Sequence, residues 1–290
     1  MRHFVQALPR RHMITTYHRP KTMEEALTLL SQTNRIPLGG GTLLSKPTTD
    51  PVEVVDLQSL HLDSIKKNGN NLEIGAAVTL QNLFESEYCP HGLKPALKLE
   101  APLNIRNAAS VAGTLVACDG RSTFTTSLLA LDAKLEIKSI DPIGLIEMET
   151  ESRSPKQDVT TLGIGELLPL RFDHLKGKLI TSILIPVNVK FAFEYVSRTP
   201  ADKPIVCAAL AQWNSGRTRL ALGGYGKMPL LAMDGTEADS VDASATDLVL
   251  RSAQAAARNA YHEATDEWAS AEYRMDVAST LAKRCLESLA

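Results

Sequence analysis

The alternation of apolar and polar positions divides the chain into a mixed run of strands and helices. Residues 14–19 read as a short strand. Thr22, with Glu25 three positions later, makes a capping box ahead of Ala26, Leu27, Leu29 and Leu30 at helical spacing. A short apolar run, Ile36-Pro37-Leu38, then enters three consecutive glycines, and β-branched residues 52–57 predict the next strand. The opening is therefore β-α-β, with the glycines directly behind a strand. Residues 72–78 predict a strand leading to a helix near Thr79 or Leu80, and further helices are predicted over 93–99 and 122–131. Alternation over 134–140 and 145–151 predicts half-buried strands, residues 152–160 read as an exposed loop, and a strand over 178–185 stops at Pro186.

The pattern changes near residue 187. Residues 191–196 alternate, and 205–213 and 218–222 predict two more strands joined by a turn at Asn214-Ser215-Gly216. Gly223-Gly224-Tyr225-Gly226 reads as a turn. Helices follow over 246–261 and 271–289, the latter carrying Val277, Leu281 and Leu286 at helical spacing. Strands followed by helices predict an α+β second domain with helices on one sheet face.

Composition narrows the function. Of 290 residues, 44% are hydrophobic and 22% charged, ordinary for a globular chain with room for two domains. A formal net charge of −2 gives no basic field for nucleic acid or an anionic membrane. No apolar run is long enough to span a bilayer, and residues 1–12 are basic without an apolar core, so they read as an extension preceding Met13. Cys89, Cys118, Cys207 and Cys285 lie far apart, which excludes a local zinc or iron–sulfur motif and points to reduced thiols in the cytoplasm. The seven histidines show no metal-ligand spacing, and no acid–base machinery is evident.

The candidate chemistry lies in two stretches poor in side chains. In Leu38-Gly39-Gly40-Gly41-Thr42-Leu43, glycines free the backbone to take positive φ and to approach a ligand closely. Successive N–H groups can then converge on an anion, each bond contributing roughly 1.5–3 kcal/mol. The spacing is not G-x-G-x-x-G and no long helix follows, which argues against a Rossmann site, and no Gly-Lys-Ser/Thr ends the run as a P-loop requires. Residues 105–114 form the second stretch, with Asn107, Ser110, Val111, Ala112, Gly113 and Thr114 beside apolar residues. The two stretches are expected to grip one dinucleotide. Arg106 suits either neutralising phosphate or anchoring its own loop to a carboxylate.

In sequence and order these segments resemble the FAD-binding (medium) subunit of the molybdenum hydroxylases, the family of xanthine dehydrogenase and aerobic carbon monoxide dehydrogenase. The matching residues are Gly39-Gly40-x-Thr42-x-Leu44, Val55-Asp56-Leu57, Ile74-Gly75-Ala76, Arg106-Asn107-x-x-Ser110-Val111-x-Gly113 and 128–133, with Ser270-Ala271-Glu272-Tyr273-Arg274 in the second half. The resemblance covers nearly all of residues 13–290. It implies a p-cresol-methylhydroxylase-type FAD-binding domain of two α/β subdomains over 13–187, then a C-terminal domain of a small sheet and helices over 188–290. It also implies an FAD diphosphate held by backbone groups of Leu38 to Thr42, with Leu43 beside them. Residues 110–114 and Asn107 would contact the cofactor from the other side. The implied partners are a molybdopterin-binding large subunit and a [2Fe–2S] small subunit, assembled as a dimer of heterotrimers. The chain itself would relay electrons from those clusters through FAD to an external acceptor.

Three departures stand out. Ala112-Gly113-Thr114 replaces the family's Gly-Gly-Asn, Thr123 stands where a cofactor-contacting carboxylate is usual, and Glu194-Tyr195 replaces a common lysine. Asp119 is a substitute carboxylate or else a solvated loop acid, and Cys118 reads as a small buried filler. The second reading is a homologue that keeps the fold, binds FAD weakly and serves as an assembly subunit.

Overall fold

The computed structural model describes residues 14–44, 51–140, 157–236 and 244–289. The expected extension over 1–12 and the strand over 145–151 lie outside them. The first sheet is parallel: β1 (Ile14–His18) and β2 (Arg35–Leu38) flank β3 (Val52–Asp56). Helix α1 (Met23–Leu30) makes the crossover. Thr22 caps it by accepting from the Glu25 amide, but the Glu25 carboxylate reaches back to the Lys21 amide, one residue before the N-cap. Its buried face, Ala26, Leu27 and Leu30, packs on Val55, Leu57, Ile140 and Leu179.

The second sheet is antiparallel, in the order β4 (Ile65–Asn68), β5 (Asn71–Gly75), β8 (Leu179–Pro186), β6 (Lys134–Ile140) and β7 (Gln157–Gly163). Strand β4 carries no apolar alternation because three of its four residues face solvent. Strand β7 corrects the exposed loop expected over 152–160: from Gln157 onward the chain pairs with β6, and as an edge strand it keeps an exposed, hydroxyl-rich sequence. Helices α2 (Leu80–Glu85), α3 (Leu93–Glu100), α5 (Val111–Ala117), α6 (Thr123–Ala130) and α7 (Ile164–His174) join this sheet in one core, while the short α4 (Leu103–Arg106) keeps Leu103 and Ile105 exposed. Sequence periodicity misses α7, since Pro169 lies inside it and Leu170 leaves helical geometry.

The third sheet runs β12 (Leu230–Thr236), β11 (Arg217–Gly223), β10 (Val206–Trp213), β9 (Val189–Val196), all antiparallel. Helices α8 (Ser244–Ala260) and α9 (Ala271–Leu289) lie on one face, as expected. Strand β10 is apolar from Val206 to Ala211 because both of its faces are covered there. Val206, Ala208 and Leu210 face α8 and α9, whereas Cys207, Ala209 and Ala211 join the core of the second sheet. The architecture is mixed α+β. Among the described residues no helix is long and apolar enough to cross a membrane.

Two arginines lock the third sheet to the C-terminal end of α6 and the turn after it. Arg217 donates to Asp132 at 2.9 Å, and Arg219 lies 3.1 Å from the same carboxylate and donates to the Leu129 carbonyl. Gly120 interlocks with the turn over 223–226, donating to Gly226 O and accepting from Gly224 N. A Cβ at Gly120 would stand 1.8 Å from Tyr225 O, so no other residue fits.

Arg274 ties the last helix down. It is fully buried, and its guanidinium donates to the carbonyls of Ile205, Ala264 and Ala269 and to the Asp266 carboxylate. Replacing it with Ala leaves three carbonyls without that donor and Asp266 without its cation, though the Trp268 and Ala269 amides still reach the carboxylate. Arg274→Ala is expected to lower unfolding stability by about 3–5 kcal/mol, and Arg274→Lys to recover only part, in urea titrations followed by circular dichroism.

Candidate functional site

Strand β2 ends at Leu38, whose carbonyl accepts from the Leu57 amide, and the chain then leaves the sheet. A Cβ at Gly40 would stand 1.5 Å from the carbonyl oxygen of Ala108, and one at Gly39 would stand 2.6 Å from Ser110 Oγ. These two glycines are therefore required by the second stretch rather than by a ligand. Gly41 turns the chain at φ +69°. Among the described residues none accepts from the amides of Gly39, Gly40 or Gly41, which leaves three donors in a row at an exposed bend.

The second stretch is not a loop but two helices meeting at a tight turn. Ser110 is the N-cap of α5: its Oγ accepts from Gly113 N at 3.2 Å, and its carbonyl accepts from the Thr114 hydroxyl at 2.9 Å. Ala112 and Gly113 are helical, without positive φ, so alanine suits its position better than glycine would. Bonds from Leu80 N to Ala109 O and from Val111 N to Val78 O fix the turn against β5 and α2. Arg106 proves to be an anchor, though not to a carboxylate: it donates to Gln81 Oε1 and to the carbonyls of Lys98 and Ala101.

Both stretches wall one cavity of about 710 Å³, with Thr42 and Leu43 from the first and Ala109 and Thr114 from the second. Its size lies within the range of cofactor pockets. Leu80, Leu99 and Ile105 supply apolar wall, while Pro200, Ala201 and Lys203 close it from the connection between β9 and β10. Asn107 is exposed at the end of α4, Leu38 is half-buried in β2, and the Val111 side chain lies in the core.

Thr123 is fully buried, its hydroxyl 2.7 Å from Ala96 O and 3.1 Å from Glu100 Oε2. It stands behind the cavity wall. The wall residue is Glu100, which the sequence reading missed. Glu100 Oε2 accepts from Phe124 N at 2.8 Å and lies 2.9 Å from Ser122 Oγ. Burial raises its pKa, and the Phe124 amide, the Lys203 charge and the two hydroxyls oppose that rise. One signal was available in the sequence. An acid in the last turn of α3 opposes that helix's own dipole, so it calls for a compensating positive end, which the N-terminus of α6 provides.

Cys118 is a buried filler at the cavity edge, its thiol pKa raised by burial, and Asp119 is an exposed acid 3.4 Å from Lys203. Arg274 lies outside the cavity lining, engaged in the bonds that tie down the last helix.

Residues 12–188 match the family model for the FAD binding domain in molybdopterin dehydrogenase, and residues 191–289 match the CO dehydrogenase flavoprotein C-terminal domain. The chain is 30% identical over 230 residues to the Escherichia coli (strain K12) protein YgfM, covering 77% of this chain and 79% of the relative. It is 25% identical over 292 residues to the carbon monoxide dehydrogenase medium chain of Afipia carboxidovorans, with 93% and 95% covered. Among solved structures, CO dehydrogenase from Oligotropha carboxidovorans has a similar fold at TM-score 0.75 and 23% identity, covering 98% of this chain and 99% of that one. Quinoline 2-oxidoreductase from Pseudomonas putida 86 follows at 0.71 and 20%, covering 94% and 96%. With its cavity walled by both stretches and its whole described length accounted for, the chain belongs to the family of FAD-binding flavoprotein subunits of the molybdenum hydroxylases.

Proposed function

We propose that this chain is the flavin electron-transfer subunit of a molybdenum hydroxylase complex, working in the cytoplasm. Bound FAD supplies the redox chemistry, taking electrons from [2Fe–2S] clusters on a small partner chain and passing them to an external acceptor. A molybdopterin-binding large chain oxidises the substrate, and the whole assembles as a dimer of heterotrimers. Residues 13–187 form the FAD-binding domain and 188–290 the C-terminal domain. The observation that carries the reading is the single cavity shared by the two side-chain-poor stretches.

The chain's own groups fit a dinucleotide. The Gly39, Gly40 and Gly41 amides, at a bend with no acceptor among the described residues, offer donors to a diphosphate. Thr42 and Thr114 add hydroxyls, Lys98 and Lys203 favour an anion, and Leu43, Leu80, Leu99 and Ile105 suit a flat apolar ring. Ser110 meets Gly39 where the two stretches touch, Val111 anchors the second in the core, and Leu38, Asn107, Ala112 and Gly113 are proposed to contact the cofactor through backbone or short side chains. Thr123 contributes through Glu100. Ala112 and Thr123 do not by themselves point to a chain that has lost its cofactor, because alanine is at ease in α5 and a carboxyl stands beside Thr123.

Purified full-length chain is expected to carry one flavin per polypeptide in its visible absorbance; a colourless, monodisperse protein would favour the assembly-subunit reading. The same preparation should leave purines, aldehydes and carbon monoxide unoxidised in dye-reduction assays. Gly40→Ala should push the two stretches apart, so that FAD titrations show at least about tenfold weaker binding, because a Cβ there meets backbone rather than a flexible side chain.

A further inference from the structure

One acid on the cavity wall has no part in the reading above beyond its contact with Thr123. Glu100 closes α3, and its Oε2 is occupied by the first turn of α6: the Phe124 amide and the hydroxyls of Ser122 and Thr123 all meet that one oxygen. Those groups fix the carboxyl plane and leave Oε1 outside the set. Among the described lining residues Glu100 is the sole carboxylate; the other charges are Lys98 and Lys203. The rest of the wall is apolar, hydroxyl or cationic. A ligand donor inside this cavity therefore has one strong acceptor to meet.

Resting on the reading of the cavity as a flavin site, we infer that Glu100 positions the flavin by accepting a hydrogen bond at Oε1 from a hydroxyl or ring N–H of the bound nucleotide. The α6 N-terminus is the device that aims it. A carboxyl at the end of α3 faces the unfavourable end of its own helix, and the dipole and amide of α6 oppose the rise in pKa that burial imposes on it. The acceptor that the sequence lacks at Thr123 is thereby presented from a neighbouring helix, 3.1 Å from the threonine hydroxyl.

Glu100→Gln tests this with little change of shape. The Phe124 amide requires an oxygen, so the glutamine oxygen must stay on the α6 side and its NH2 must turn to the cavity, presenting a donor where an acceptor stood. FAD affinity, measured on the full chain by flavin fluorescence, is expected to fall about 10- to 100-fold, the size of a hydrogen bond to a charged group. A second readout separates positioning from mere support of α6. In the unsubstituted protein the FAD Kd should rise as pH falls through a value above the usual carboxylate range, because protonation removes the acceptor, and in Glu100→Gln the profile should be flat.

The other groups near this carboxyl are Lys98 on the same helix, Lys203 and Asp119 on connecting segments, and the thiols of Cys118 and Cys207. All of these groups are present unchanged in both proteins, so the difference between the two profiles isolates Glu100. Repeating the comparison with lumiflavin, which lacks the hydroxylated chain, distinguishes the donors: a loss that persists places the donor on the ring, and one that disappears places it on the chain. Unsubstituted protein that binds FAD with a flat pH profile, or Glu100→Gln within twofold of it, overturns this inference and leaves the flavin function standing. Should Glu100→Gln fail to fold, Glu100→Asp takes its place: drawing the carboxyl back by one methylene is expected to weaken FAD binding at least about tenfold, and affinity within twofold of the unsubstituted protein overturns the inference. Unsubstituted protein that binds no FAD overturns both.

Discussion

The contact on which the site depends is one between two backbones. Gly39 and Gly40 lie so close to Ala108 and Ser110 that no side chain fits between them. Through that contact the end of the parallel sheet meets the turn ahead of α5, and the cavity opens beside it. Interiors pack densely and leave few voids, so a cleft of this size persists only where the surrounding elements are held apart by rigid joints. Here the joints are the glycine contact on one side and the Arg106 anchor on the other, with three donor bonds into Gln81, Lys98 and Ala101. Arginine with a satisfied planar fork suits such an anchor better than a flexible lysine.

Helix α6 is the second constraint. All eight of its residues are buried, although four are Thr or Ser. Thr126 and Ser127 each donate to the carbonyl four residues back, Thr123 reaches Ala96 and Glu100, and Thr125 contacts Ser122. Short hydroxyl side chains allow close approach of α3 and of the third sheet while keeping every polar atom satisfied. The first turn thus performs two tasks, covering β10 and β11 and orienting the Glu100 carboxyl at the cavity.

Most of the fold is legible in the sequence because its signals are local. The Thr22 cap, the β-branched run over 52–57, the doubly covered β10 and the two long C-terminal helices all follow from spacing and burial. The elements that escape are those defined by partners far along the chain. Strands β4 and β7 sit at sheet edges, where one side of each faces water and periodicity fades. Strand β12, with Asp234 and Gly235 inside it, forms because Arg217 and Arg219 draw that aspartate onto β11. The site divides the same way. The glycine run and the Ser110 cap announce themselves, but Glu100 resembles an ordinary helix-end acid until α6 is brought against it.

The interlock of Gly120 with the turn over 223–226 has a consequence for how the protein is made. The cleft takes wall residues from 42–43, 98–118 and 200–203, and α6 behind it is covered by β10 and β11. A ribosome that has released only the first two hundred residues has thus produced both side-chain-poor stretches but not the wall at Ala201 and Lys203. That wall is set by the pairing of β9 with β10, so the cleft is completed late in synthesis, by the C-terminal sheet.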